Sequence, residues 1–372
     1  MSSQTNPLRA LNAAGQSVWF DNIQRAMLAP DGELARMIAE DDLRGVTSNP
    51  SIFEKAITGS HDYDAALRRE LQQNPSQSAR ELFFHLAIED IRAAADILRP
   101  VYERTDGVDG MVSLEVSPDL AHDTAGTIRE ARELHARLGR PNVMIKVPAT
   151  KAGLPAITQL IAEGINVNVT LLFAVERYLE VVDAYIAGLE RRAAQGLPVK
   201  GVASVASFFV SRVDSALDPI LAERAPALAG KIAIANAKKA FLVSQERFGG
   251  ARFQKLAALG ARPQRLLWAS TSTKNPAYRD VLYVETLIGP NTVNTVPPAT
   301  YEAFRDHGVV APTLDQDLDQ AQEQLASLAG LGIDLMALTD KLEAEGVAAF
   351  AKSFDNLLAA IAAKAAALSA AA

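Results

Sequence analysis

Eight short apolar segments alternate with longer helical patterns along almost the whole chain, and this alternation limits the possible folds most strongly. Each apolar segment is long enough for one buried strand, and the stretches between them repeat apolar residues at helical spacing. The predicted strands are residues 17–21, 45–49, 111–116, 143–147, 166–170, 202–208, 266–271 and 292–296. Alternating strands and helices favour parallel pairing, and eight such units predict an α/β fold, the closed (β/α)8 TIM barrel.

An open, doubly wound sheet is the alternative to a barrel. Such a sheet usually carries a glycine-rich phosphate turn after its first strand, whereas residues 20–23 here read Phe-Asp-Asn-Ile. Two regions exceed the minimal barrel pattern, a helical insert at about 51–110 and a helical C-terminal extension at about 312–372. We interpret both as additions to one domain spanning 1–372, with a separate helical layer for the extension as the alternative.

Composition excludes several classes of function. The 372 residues include no cysteine, so disulfides, thiolate catalysis and cysteine-ligated metal sites are impossible. The net charge of −7 comes without a basic tail or stripe, which argues against nucleic acid as a partner. We find no signal-peptide pattern and no apolar run of 18 residues, and therefore expect a cytoplasmic protein without a membrane partner. Monomer and homodimer both remain open.

Polar residues recur at the C-terminal ends of the predicted strands. In a barrel these ends form the active-site face, and residues two apart on a strand share one side. The pattern therefore predicts a polar site at one mouth of the barrel. The residues are Asp21, Thr47, Ser48, Asn49, Ser113, Glu115, Lys146, Asn168, Thr170, Ser204, Ser207, Ser270, Ser272 and Asn294.

Lys146 is the most unusual of these residues, because it lies in the apolar run Val-Met-Ile-Lys-Val-Pro. Burial favours the neutral form of a lysine amine, which is a nucleophile that can form a Schiff base with a carbonyl. Glu115 and Asp21 are the candidate proton-transfer groups for such chemistry. The alternative is structural, with Lys146 paired to Glu115 or extending from a strand end.

Arg212, Ser270 and Lys274 are the candidates for binding phosphate. Arg212 opens a predicted helix after the sixth strand, where the cation and the helix N-terminus both favour an anion. An ordinary surface arginine is the alternative. The sequence argues against metal catalysis, because no histidine lies at a strand end or shows metal-ligand spacing. The histidines are His61, His85, His122, His135 and His307.

Five segments match motifs of one enzyme family. They are GVTSNPS (45–51), VSLEV (112–116), MIKVPAT (144–150), GINVNVTLLF (164–173) and ASFFVSR (206–212). The chain therefore resembles the transaldolases of the class I aldolase superfamily over about residues 17–298. Its length, the helical insert and WASTSTKNP (268–276) are most similar to the longer bacterial subfamily.

The resemblance implies a metal-independent transferase without a cofactor, acting on sugar phosphates. The implied reaction moves a dihydroxyacetone unit from sedoheptulose 7-phosphate to glyceraldehyde 3-phosphate, in the non-oxidative branch of the pentose phosphate pathway. The products are erythrose 4-phosphate and fructose 6-phosphate. The implied catalytic residues are Lys146 as the Schiff-base amine, Asp21 as acid–base, and Glu115 with Thr170 around a catalytic water. The implied substrate-binding residues are Asn49, Asn168, Ser207, Phe209, Arg212 and Ser270.

One departure concerns phosphate. Many family members have an arginine where this chain has Ser272, so Lys274 is assigned to phosphate instead. The nearest rival is a fructose-6-phosphate aldolase-like enzyme, which releases free dihydroxyacetone. That group resembles glutamine and tyrosine at the positions of Glu115 and Phe209, and its chains are much shorter. A non-catalytic sugar-phosphate-binding barrel and a metal-dependent aldolase are the further alternatives.

Overall fold

Eight parallel strands close into a barrel in chain order, β1 to β8, in a computed structural model that describes residues 6–370. The strands are β1 (Gln16–Phe20), β2 (Gly45–Val46), β3 (Met111–Glu115), β4 (Val143–Pro148), β5 (Val167–Leu172), β6 (Ser204–Phe209), β7 (Arg265–Ala269) and β8 (Thr292–Val296). The predicted TIM barrel is confirmed. The second strand was predicted too long: after Val46 the chain leaves the sheet, because Asn49 caps the next helix and Pro50 begins it.

Helices surround the barrel and fill the two regions that exceed the minimal pattern. The helices are α1 (Pro7–Ala13), α2 (Glu33–Asp41), α3 (Pro50–Thr58), α4 (Asp64–Gln73), α5 (Ala79–Arg104), α6 (Thr124–Leu138), α7 (Gly153–Glu163), α8 (Val175–Ala194), α9 (Ser211–Arg224), α10 (Ile232–Gly249), α11 (Ala251–Ala257), α12 (Leu282–Glu285), α13 (Pro298–His307), α14 (Leu318–Gly330) and α15 (Leu335–Ala370). Between β2 and β3 lie α3, α4 and α5, and after β8 lie α13, α14 and α15.

Strand register places the polar residues in rows. Glu115 on β3 pairs with Lys146 on β4, and Lys146 pairs with Asn168 on β5. One layer further toward the mouth, Thr170 pairs with Pro148. The register then shifts on β5 between Val169 and Leu172. The barrel therefore presents a carboxylate, an amine and an amide side by side on three adjacent strands.

The 36-residue helix α15 is the one helix among the described residues that is long and apolar enough to cross a bilayer by length and composition alone, although no unbroken run of 18 apolar residues occurs in it. In the structure it packs against α3, α4 and α5 and buries Phe350, Phe354, Leu357 and Ile361 along one side. Its contact with β5 and α9 brings it over the mouth of the barrel.

A paired cluster of charges closes the opposite, N-terminal end of the barrel. Asp109 is 1% exposed and accepts hydrogen bonds from Ser17 Oγ (2.7 Å), Trp19 Nε1 (3.2 Å) and Arg265 Nη2 (2.9 Å). Burial raises the pKa of Asp109, but Arg265 and these hydrogen bonds outweigh burial and hold the pKa below its ordinary value. Gly45 is required nearby, because a Cβ there would lie 2.5 Å from the Trp19 ring.

Candidate active site

A cavity of about 400 Å³ opens at the C-terminal mouth of the barrel, where the sequence predicted a polar site. It lies between the strand ends, the first turn of α3 and helix α15. Its walls are Asp21, Asn22, Thr47, Asn49, Ser51, Ile52, Lys55, Lys146, Ser207, Phe209, Arg212, Ala269, Ser270, Ser272, Lys274, Thr295, Pro297, Pro298 and Phe350. The structure therefore brings eight of the predicted catalytic and substrate-binding residues to one cavity wall: Asp21, Asn49, Lys146, Ser207, Phe209, Arg212, Ser270 and Lys274.

A larger groove of about 790 Å³ lies outside the barrel, between α10, α14 and α15. Its walls combine apolar residues such as Leu325 and Met336 with the charged residues Glu176, Lys239 and Glu246. None of the predicted site residues lines it. The arrangement of reactive groups, rather than size, therefore selects the cavity at the barrel mouth.

Lys146 extends from β4 to the cavity wall and is 4% exposed. Its Nζ donates a hydrogen bond to the carbonyl oxygen of Ser48 (3.2 Å) and lies 3.6 Å from Oε2 of Glu115. The latter distance is that of an ion pair and exceeds a normal hydrogen bond. The amine thus borders a cavity large enough for a ligand and has a carboxylate beside it. This arrangement is compatible both with a nucleophilic lysine and with a structural ion pair.

Glu115 is buried beside this amine with few compensating contacts. It is 6% exposed, and neither carboxylate oxygen has a hydrogen-bond partner among the described residues. Burial raises the pKa of Glu115 to about 7, against the opposing effect of Lys146. A carboxyl group with a pKa near neutrality can give and take a proton at physiological pH.

Asp21 approaches the same cavity from the end of β1. Its Oδ1 accepts a hydrogen bond from Thr47 Oγ1 (2.6 Å), and Thr47 Oγ1 also contacts Thr295 Oγ1. Burial raises the pKa of Asp21, and the charge of Lys146 and the Thr47 hydrogen bond oppose that effect. Two carboxyl groups with raised pKa values therefore accompany one amine.

Asn168 occupies the lumen as the centre of a hydrogen-bond chain. Its Nδ2 donates to Ser113 Oγ (3.0 Å), and its Oδ1 accepts from Ser207 Oγ (2.7 Å). These hydrogen bonds join β3, β5 and β6 and fix the orientation of the Asn168 amide. Thr170, on the next layer, is fully buried, and its Oγ1 has no partner in the described part of the chain.

Asn49 caps a helix and also lines the cavity. As the N-cap of α3, its Oδ1 accepts a hydrogen bond from Ile52 N (3.0 Å), and the same side chain lines the cavity. The cap orients the amide toward the mouth of the barrel. The N-cap of α3 and part of the cavity wall are thus formed by the same side chain.

Cations converge at the rim of the cavity around the N-terminus of α9. Ser270 has a φ of +56° and lies beside that terminus, where Ser211 N donates to its carbonyl oxygen (3.0 Å) and the two hydroxyl groups lie 2.9 Å apart. Arg212 follows Ser211 on α9, and burial lowers its pKa. Lys274 Nζ donates to Ser272 Oγ (2.7 Å), and burial, followed by repulsion from Arg212 and Lys55, lowers the Lys274 pKa.

Sequence reasoning missed several residues of this cavity, and two of them, Lys55 and Phe350, add a cation and an aromatic ring to it. Lys55 lies six positions after Asn49 on α3, and its charge reaches Lys274. Phe350 on α15 places its ring centroid 6.0 Å from Lys146 Nζ. A helix that starts at a strand end directs its first turns toward the barrel mouth, so Lys55 could have been found. Phe350 gives no local signal, because it reaches the site only through the packing of α15.

No group of three or more histidine, aspartate and glutamate side chains within residues 6–370 is arranged to hold a metal ion. The histidines lie elsewhere. His61 contacts Asp64 at the surface, for example, and His307 contacts Asp280 and Asp306.

Comparisons with known proteins show which family this chain belongs to. The family "Transaldolase/Fructose-6-phosphate aldolase" matches residues 18–361. A transaldolase of Parafrankia sp. is 50% identical over 95% of this chain and 96% of its own length. A transaldolase of Thiobacillus denitrificans is 49% identical over 96% and 99%, and one of Trichodesmium erythraeum is 46% identical over 95% and 96%. The chain therefore belongs to the transaldolase and fructose-6-phosphate aldolase family.

Proposed function

We propose that this protein is a transaldolase that works through a Schiff base on Lys146. The observation that carries the proposal is the position of Lys146, whose amine borders the cavity 3.6 Å from Glu115 in a site that Asp21 also lines. Amine, proton donor and base are the three groups that the chemistry requires. The family and the relatives named transaldolase support the same activity.

The first stage converts the ketone of a ketose phosphate into an iminium ion. The amine of Lys146, after it gives up a proton, attacks C2 and gives a carbinolamine. Glu115 transfers protons through a water that Thr170 helps to orient, so that the C2 hydroxyl leaves as water. The unpartnered carboxylate oxygens of Glu115 and the hydroxyl of Thr170 provide the hydrogen-bonding groups for such a water.

The second stage breaks and remakes a carbon–carbon bond. Asp21 removes the proton of the C4 hydroxyl, the C3–C4 bond breaks, and its electron pair enters the iminium to give an enamine. The aldose phosphate leaves, while the three-carbon unit stays on Lys146. An acceptor aldose phosphate then reverses these steps. The iminium acts as the electron sink that a metal or thiamine cofactor supplies in other enzymes.

Substrate recognition divides into hydroxyl and phosphate contacts. We assign the sugar hydroxyls to Asn49 and Ser207 on the cavity wall and to Asn168, which is buried behind Ser207 and bonded to it. Phe209 forms one wall and lies against Arg212, with 5.2 Å between guanidinium and ring centroid. The phosphate lies between Arg212, Ser270 and Lys274, with Lys55 as an additional cation. Lys274 supplies the charge that many family members obtain from an arginine at the position of Ser272.

The proposed substrates are sedoheptulose 7-phosphate and glyceraldehyde 3-phosphate, with erythrose 4-phosphate and fructose 6-phosphate as products. We accordingly propose a role in the non-oxidative pentose phosphate pathway, and we propose a cytoplasmic location from the absence of a signal-peptide pattern. The overall −7 charge does not oppose anionic substrates, because the cations at the cavity rim determine the local potential.

Borohydride trapping tests the covalent mechanism. The protein is incubated with fructose 6-phosphate, reduced, digested and mapped by mass spectrometry. We expect a three-carbon adduct on Lys146 and none in Lys146→Met, while Lys151→Met, which changes an exposed lysine five residues further on, keeps the adduct. An adduct on a different lysine, or none, contradicts the mechanism. Dihydroxyacetone release without an acceptor at the rate of transfer would instead favour the aldolase-like alternative.

A further inference from the structure

Helix α15, which follows the last barrel strand in sequence, supplies one wall of the candidate active site. Phe350 is 6% exposed, lines the cavity, and places its ring 6.0 Å from Lys146 Nζ. Polar groups also surround the amine: Glu115 lies at ion-pair distance, Asp21 interacts with its charge, and Asn168 pairs with Lys146 on the neighbouring strand. Phe350 is therefore the hydrocarbon cover next to the reactive nitrogen.

Several contacts fix the position of Phe350. One turn before it, Gly346 allows a close approach to β5, since a Cβ there would lie 2.9 Å from Leu171 Cδ2. On the other side, Ser51 Oγ donates to Ser353 Oγ (2.7 Å) and ties α15 to α3. Near the end of the helix, Lys364 Nζ lies 2.9 Å from Asp64. Contacts on both sides thus hold the ring above the amine.

The position of this ring matters because the proposed reaction stores an enamine. If a proton reaches C3 of the enamine before the acceptor does, the iminium of dihydroxyacetone forms. Water then adds to C2, the C2–N bond breaks, free dihydroxyacetone leaves, and the amine of Lys146 is regenerated. A hydrocarbon wall beside the nitrogen excludes the bulk water that would supply both the proton and the nucleophile.

We propose that Phe350 determines specificity by favouring transfer over release, as the cover that keeps solvent from the three-carbon unit on Lys146. The ring also faces a cation whenever the nitrogen is an iminium, and an aromatic face stabilises such a charge. The proposal rests on the proposed transaldolase function. It explains why the three-carbon unit stays on Lys146 until an acceptor arrives.

The test measures two rates with fructose 6-phosphate as donor: transfer to erythrose 4-phosphate, and dihydroxyacetone release without acceptor. We expect Phe350→Ala to raise the ratio of release to transfer by roughly tenfold or more, and Phe350→Leu, which keeps a large apolar side chain, to change it much less. Leu357→Ala is the packing control, because Leu357 is fully buried on the same helix but does not line the cavity.

Each outcome separates the two proposals. If the wild-type protein transfers no three-carbon unit, the proposed function fails. If it transfers normally and Phe350→Ala leaves the ratio unchanged, only the role of Phe350 fails. An equal rise in Leu357→Ala also overturns that role, since loosening of α15 would then be sufficient. If Phe350→Ala does not fold, Phe350→Thr replaces it: a rise in the ratio above that of Phe350→Leu supports the cover, and equal ratios refute it.

Discussion

Replacing Glu115 by glutamine tests whether this carboxyl group is held in an unfavourable site. Burial raises the pKa of Glu115 from its ordinary value of 4.5 to about 7. The native protein therefore binds more protons than the unfolded chain between these values. The contribution of Glu115 to stability is fully present below pH 4.5 and is lost as the pH rises through 7.

The magnitude follows from the two pKa values. With these pKa values, titration of Glu115 lowers the free energy of unfolding by roughly 1 kcal/mol at pH 5 and by roughly 3 kcal/mol at pH 8. Glutamine has a similar shape and does not ionise. The stability of Glu115→Gln relative to the wild type should therefore increase by roughly 2 kcal/mol or more between pH 5 and pH 8. The variant should also lose most transferase activity, because it cannot exchange protons.

Urea denaturation at pH 5 and pH 8 measures this difference for the wild type and the variant. Other titrating groups are common to both proteins, so the comparison isolates Glu115 and its coupling to Lys146. Glu133→Gln, on the exposed face of α6, is the control for the chemical replacement itself. A difference between wild type and Glu115→Gln that is equal at the two pH values would refute the raised pKa.

Further predictions concern the amine, the phosphate site and α15. Lys146→Met should keep the thermal unfolding transition and abolish transfer, because methionine fills a similar buried volume without a nucleophile. Lys274→Met should raise KM for phosphorylated aldehydes by roughly tenfold and leave turnover of unphosphorylated glyceraldehyde unchanged. Burial and neighbouring cations lower the Lys274 pKa. The KM of the wild type should therefore begin to rise at a lower pH than it would with an exposed lysine at this position. Gly346→Val should push α15 away from Leu171, cost about 1–3 kcal/mol in unfolding free energy and reduce activity, whereas Gly330→Val, with open space around its Cβ, should do neither.

The barrel and its strand-borne residues could be predicted from sequence for one physical reason. Parallel strands of a barrel end at the same face, so a polar residue at each strand end predicts a common site without knowledge of distances. Register then places Lys146 between Glu115 and Asn168. What the pattern could not give is the separation of Lys146 and Glu115 or the burial that raises the Glu115 pKa, because both depend on packing.

Residues supplied by helices were harder to predict. Phe350 belongs to the buried side of α15, and this side looks in sequence like that of any packed helix. Its role depends on where α15 crosses the barrel, which is decided by contacts with α3, α4 and α5. The length of β2 was overestimated for a related reason. The predicted strand was extended through Thr47, Ser48 and Asn49, although serine and asparagine favour turns and helix caps, and the cap at Asn49 ends the strand at Val46.

The two ends of the barrel show how the same residue types serve different purposes. At the N-terminal end, Asp109 accepts hydrogen bonds from Arg265, Ser17 and Trp19, and its pKa lies below the ordinary value. At the C-terminal end, Glu115 has only Lys146 at ion-pair distance and no hydrogen bond from the described protein, and its pKa rises. A buried acid with several hydrogen bonds and a close cation is held in its ionised form, whereas an acid left incompletely paired can exchange protons with a ligand. The destabilisation that the Glu115→Gln comparison measures is therefore the thermodynamic cost of keeping this end of the barrel reactive.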